Sequence, residues 1–184
     1  MTYAEICKAA RKLKREHKTT DPVAVCVAEG IKIIYQNFGT AADAIKGFYL
    51  EHCRIKTITV NADLPRTIQR IIIAHELGHA ELHRRTGLRA FHDVAMFDES
   101  SDMEKEANLF AAEFLMEDSD VLEVLNRDTT FFTAASILRV PMELLDFKFR
   151  VMKWKGYKLI EPPISSSNKF LRDMEVPADA DYND

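Results

Sequence analysis

The stretch PRTIQRIIIAHELGHAELHRR, residues 65–85, decides how the rest of the chain is read. Pro65 suits the opening of a helix, and Ile68, Ile71 and Ile72 recur at helical spacing. With Leu82 they mark a face that must be buried, so the spacing predicts a core helix over residues 65–85. On that helix lies His75-Glu76-Leu77-Gly78-His79. Residues four apart share a helix face, so both imidazoles can reach one ion. Glu76 lies about 100° around from His75 and about 60° from His79. It flanks such an ion without having to bind it, the position from which a carboxylate takes a proton from an attacking water. Two histidines buried without a partner would be costly. Gly78 points the same way, because a glycine inside a helix costs about 1 kcal/mol and usually permits close backbone packing.

A catalytic zinc needs a third protein ligand and an open position. A third histidine six residues after His79 would complete the metzincin pattern, but that residue is Arg85. His83 shares the face, yet three ligands one turn apart on a straight helix rarely converge on one tetrahedral ion. It is read as a supporting or substrate-side group, with His92 a weaker ligand candidate. The next helix is predicted over residues 101–116, opened by Ser101 and Glu104 in capping-box spacing. Its apolar face is Met103, Ala107, Phe110, Ala111 and Phe114. Glu106 falls between Met103 and Phe110 on that face, whereas Glu104 points about 200° away, outward to water. A carboxylate on a buried stripe requires a charged partner. Glu106 is therefore expected as the third ligand, with Asp102 and Glu113 as fallbacks.

Working outward, 184 residues of which 47% are hydrophobic can close one compact domain without disulfide staples. Cys7, Cys26 and Cys53 are scattered and form no C-x-x-C pair, the usage of reduced thiols in a cytoplasmic protein. The first 17 residues lack the apolar stretch of a signal peptide, and the apolar run at 71–74 is far too short to cross a bilayer. A formal net charge of -4 gives no reason to expect a nucleic-acid partner.

Residues 3–17 read as a helix with a basic outer face, Lys8, Arg11, Lys12, Lys14, Arg15 and Lys18, taken as solvated. A short helix starts at Asp21-Pro22 and stops at Gly30. Residues 31–35, 47–53 and 56–61 read as strands, the last two as a hairpin. Further helices are predicted near 119–126, 131–138 and 141–154. The expected fold is α+β: a small, mostly antiparallel sheet, the His-Glu-x-x-His helix, and C-terminal helices. Residues 1–126 form the expected main domain, 127–158 a helix-turn-helix-like segment, and 159–184 a poorly ordered acidic tail.

The two central helices resemble the ImmA/IrrE family of metallopeptidases. That family's pattern is H-E-x-G-H-x-x-L-H followed by E-x-E-A-N-x-F-A-A-x-x-L-M. The chain carries it in residues 75–83 and 104–116, within a resemblance spanning 45–150. The resemblance implies a zincin-like fold, zinc held by His75, His79 and, through the E-A-N element, Glu106, and Glu76 as the catalytic carboxylate. It implies a site-specific endopeptidase that cuts a helix-turn-helix repressor, often that of neighbouring genes on a phage or integrative element, and so relieves repression. Glu117 departs from the proline often found after the final methionine.

The alternative is a non-catalytic zinc protein that acts on a regulator by binding it. Arg139, Lys148, Arg150, Lys153 and Lys155 give weak encouragement to DNA binding by the C-terminal helices, which are read instead as packing on the core or gripping substrate. Donors to a tetrahedral oxyanion are sought among His83, His92, Arg84 and Arg85. Residues 91–97 are expected to form a cleft wall or lid, and extended substrate to add to the sheet edge beside the active helix.

Overall fold

The computed structural model describes residues 1–83, 101–127 and 129–159. Helix α1, Tyr3–His17, starts at a full capping box between Thr2 and Glu5 and buries Ile6, Cys7, Ala10 and Leu13. Asp21 caps Pro22–Ala28 (α2) by accepting the Val23 N–H. Gly30, at φ 70°, then turns the chain into β1, Ile31–Gln36.

β2, Gly47–His52, and β3, Ile55–Asn61, form the predicted hairpin. Its two-residue turn places Cys53 and Arg54 at φ 49° and 65°, the handedness that matches the twist of the strands. The sheet order is β1-β3-β2. β2 runs antiparallel to β3 and β1 parallel to it, so the sheet is mixed. The β1–β2 connection carries the chain past β3's position, which places β2 at the opposite edge. Asn61 holds that connection: its Nδ2 donates to the carbonyls of Gly39 (2.8 Å) and Ile45 (2.9 Å).

One sheet face, carrying Ile31, Tyr49, Ile58 and Val60, is buried in the core. Helix α3, Arg66–Leu82, packs on β2 and β3 there, and every residue from 71 to 80 is buried. Helix α4, Asp102–Leu115, packs most extensively against α3 and also meets α1 and α7. It is covered on all sides, with residues 106–114 all buried. Helices α5 (Asp118–Leu125), α6 (Phe131–Ile137) and α7 (Met142–Trp154) complete the described chain.

Arg139 turns the chain between α6 and α7 at φ 54°, giving a helix-turn-helix outline. Yet α7 buries Leu144, Leu145, Phe147, Phe149, Val151 and Met152, partly against α4, so it is a core element. Its basic residues are engaged within the molecule: Lys148 with Glu113 and Asp118, Arg150 with Asp146. No helix among the described residues is long and apolar enough to cross a membrane.

Candidate metal centre

Helix α3 brings His75 and His79 together as their spacing requires, with Nε2 atoms 3.0 Å apart and both rings buried. The carboxylate that meets them belongs to Glu104. Its Oε2 lies 3.2 Å from His75 Nε2 and its Oε1 3.4 Å from His79 Nε2. Glu106, expected in that place, lies elsewhere: its Oε2 is 3.0 Å from His83 Nε2, and its Oε1 meets the amino group of Met1. The fallbacks lie elsewhere too, with Asp102 opening α4 and Glu113 paired with lysines at its other end.

The placement of Glu104, and not Glu106, beside the histidines has a packing origin. At Gly78 a Cβ would stand 3.1 Å from Phe110 Cδ1 and 3.3 Å from both the Cα and the carbonyl oxygen of Ala107. Backbone approaches backbone at that point, which makes Ala107 the centre of the α4 row facing α3. One turn earlier on that row is Glu104. Ser101 accepts the Glu104 N–H at 3.2 Å as predicted, but the Glu104 carboxylate turns to the histidines instead of completing the capping box.

A second layer stands behind His79. Its Nδ1 lies 3.1 Å from His83 Nδ1, and Glu106 sits on the far nitrogen of His83. A carboxylate accepts, so it favours a proton on His83 Nε2 and leaves His83 Nδ1 as the acceptor for a proton on His79 Nδ1. That arrangement turns the Nε2 lone pair of His79 toward His75 and Glu104. His83 is thus engaged between His79 and Glu106, while Arg84, Arg85, His92 and residues 91–97 lie outside the described residues.

The donor set suits a divalent ion. Atoms about 2.0–2.2 Å from a tetrahedral zinc lie about 3.3 Å from one another. The 3.0, 3.2 and 3.4 Å separations among the two Nε2 atoms and the Glu104 oxygens match such edges. Burial works to raise the Glu104 carboxyl, but hydrogen bonds and charge from His75 and His79, in the form that carries a proton on Nε2, outweigh it and hold the carboxyl well below the usual range; a bound cation would take the place of those protons. Glu104 therefore stays ionised, the form in which it can ligate.

Glu76 is fully buried on the same helix. Gly47, at the start of β2, is the neighbour that inspection of the sequence did not single out. A Cβ there would meet Ile72 Cγ2 at 2.4 Å and Thr59 O at 3.0 Å, and would stand 3.8 Å from Glu76 Oε1. Only glycine lets this edge strand come so close to α3. A glycine opening a strand pattern was the available signal.

An H-E-x-x-H helix beside a small sheet, with a carboxylate supplied by the following helix, defines a metallopeptidase type of site. Residues 26–150 match the Peptidase M78 family model, described as IrrE N-terminal-like domain, and the chain belongs to that metallopeptidase family. It is similar to Uncharacterized immunity region protein 2 of Bacillus phage phi105, 32% identical over 146 residues that cover 79% of this chain and 90% of that protein. It is also similar to Metallopeptidase ImmA of Bacillus subtilis (strain 168), 30% identical over 142 residues, 73% of this chain and 78% of that one.

Proposed function

We propose that the chain is a zinc-dependent endopeptidase, with His75, His79 and Glu104 as metal ligands and Glu76 as general base. The observation that carries this reading is the meeting of two imidazole nitrogens and one ionised carboxylate within 3.4 Å of contact. Zinc bound there would supply Lewis acidity toward the scissile carbonyl and toward water. Glu76 would accept the proton of the attacking water and return it to the leaving amine. Glu76 is fully buried, one residue along α3 from His75.

Peptide substrate would lie along β2. Among the described residues the outer edge of β2 pairs with no other strand. The Asn61 N–H donates to Lys46 O at 2.9 Å, which sets the alternation of the antiparallel ladder. By that alternation Gly47, Tyr49 and Glu51 turn their backbone groups outward, and Gly47 stands next to Glu76. An added strand pairing there would pass its backbone in front of the histidines.

The substrate we propose is a helix-turn-helix repressor. This rests on the family resemblance and on a relative that bears the name of a phage immunity region. Glu76→Gln should keep zinc and abolish cleavage of a cognate repressor co-expressed with the chain. Undiminished cleavage would sink the enzyme reading. Relief of repression by the same variant without cleavage would favour the binding protein instead.

A further inference from the structure

Helix α1 presents an outer ridge that the metal centre does not use. Residues 8–18 hold six basic side chains against one acid, Glu16. Lys8, Arg11, Lys12 and Arg15 are all exposed, and Lys8 and Arg15 make no ion pair among the described residues. The ridge has a groove on each side. One, of about 410 Å³, runs between these residues and Trp154, the only tryptophan of the chain, which is 49% exposed and stacked on Tyr3. The other, of about 640 Å³, is bounded by Arg11, Arg15, Lys14, Lys155 and Tyr157. Its acids Glu113 and Asp118 are already matched by Lys148 and Lys155, and Glu117 by Lys14.

The chain contains a segment of complementary chemistry, attached beside these grooves. The described backbone ends at Leu159, two residues beyond Tyr157 in the wall of the second groove. Residues 160–184 contain six acids and two basic residues, so they account for the whole net charge of -4, while 1–159 is balanced. Residues 173–184 hold five of those acids and no basic residue, interleaved with Met174, Val176 and Tyr182. The 13 residues between can span up to about 43 Å, and α1 is only about 22 Å long, so reach is not limiting. A tethered segment acts at an effective concentration near millimolar, so weak, salt-screened pairing suffices to seat it.

We propose that residues 173–184 dock in cis across the basic ridge of α1, carboxylates against Lys8, Arg11, Lys12 and Arg15 and an apolar side chain against Trp154. The full chain with D173N, E175Q, D179N, D181N and D184N tests this, with Trp154 as the built-in reporter. At low salt, acrylamide quenching of Trp154 should rise roughly two-fold on neutralisation, and the parent chain should rise to the same level in about 1 M NaCl. Carbodiimide should link the acids of 173–184 to Lys8 or Lys12 within a single chain, and salt should suppress those links. Unchanged quenching in the neutralised chain would overturn the proposal. So would links spread evenly to distant lysines such as Lys32, Lys56 and Lys105, or links found only between two copies of the chain.

Discussion

Two polar clusters lie against α4, one at each end, and they are built on opposite principles. Near its C-terminal end, Glu113 (3% exposed) is met by Lys148 and Lys155 at 2.8 Å and by Arg11 at 3.3 Å. Asp118 takes the same two lysines at 2.7 and 2.8 Å. Every buried anion there has its cation, and the cluster fastens α1, α4, α5 and α7 to one another. Near the N-terminal end, His75, His79 and Glu104 bring lone-pair donors together. A cluster whose acids already have their bases closes on itself and serves as a fastening. A cluster of converging lone pairs is arranged for a cation, and it is the one attended by Glu76, Gly47, His83 and Glu106.

The largest effect that can separate the two clusters is on stability. Glu113→Ala leaves the buried Lys148 to share Asp118 with Lys155, so the loss falls toward the lower end of the about 3–5 kcal/mol that breaking a buried pair costs. At about 2–4 °C per kcal/mol for a domain of this size, thermal unfolding should show a drop of roughly 10 °C, with metal content unchanged. Metal loss in this variant would mean that the two clusters are one unit.

A smaller effect belongs to the second layer of the metal centre. Glu106→Gln removes the acceptor that fixes the proton on His83, and such changes weaken metal affinity by about 10–100-fold. Competition with a chelating dye reads this directly, and an unchanged affinity would remove Glu106 from the site.

The smallest effect is on pH dependence. Burial tends to raise the Glu113 and Asp118 carboxyls, but the lysines outweigh it and hold both below their ordinary values. Groups lowered on folding stabilise the folded chain above their unfolded pKa, near 4, and lose that contribution as pH falls through the lowered folded values. Denaturant titrations between pH 6 and pH 3 should therefore lose stability less steeply for Glu113→Ala than for the parent. Parallel curves would mean that the pairs add nothing.

The same contrast marks what could be read from sequence. The α+β class, the hairpin and the helices were legible because period-2 and period-3.6 patterns alternate cleanly along the chain and caps such as Asp21 and Ser101 mark the starts. His75, Glu76 and His79 share one helix, so their mutual placement follows from helix geometry alone. The third carboxylate was not legible by that route. Helix α4 is buried from 106 to 114 on every side, so its apolar pattern does not say which face meets α3. The deciding contact, Gly78 on Ala107, lies between two helices. Glu104 was also hidden by its fit to a capping box, of which it makes only the backbone half. The parallel pairing of β1 and the approach of Gly47 to Glu76 depend likewise on strand order, which local patterns do not encode.

The assignment of Glu104 is tested most directly by zinc content per chain, measured by mass spectrometry after dialysis of two folded variants. Glu104→Ala should come out with little or no zinc, whereas Glu106→Ala should retain close to one equivalent when loaded at micromolar zinc. Retention of a full equivalent by Glu104→Ala, with loss from Glu106→Ala, would contradict the account.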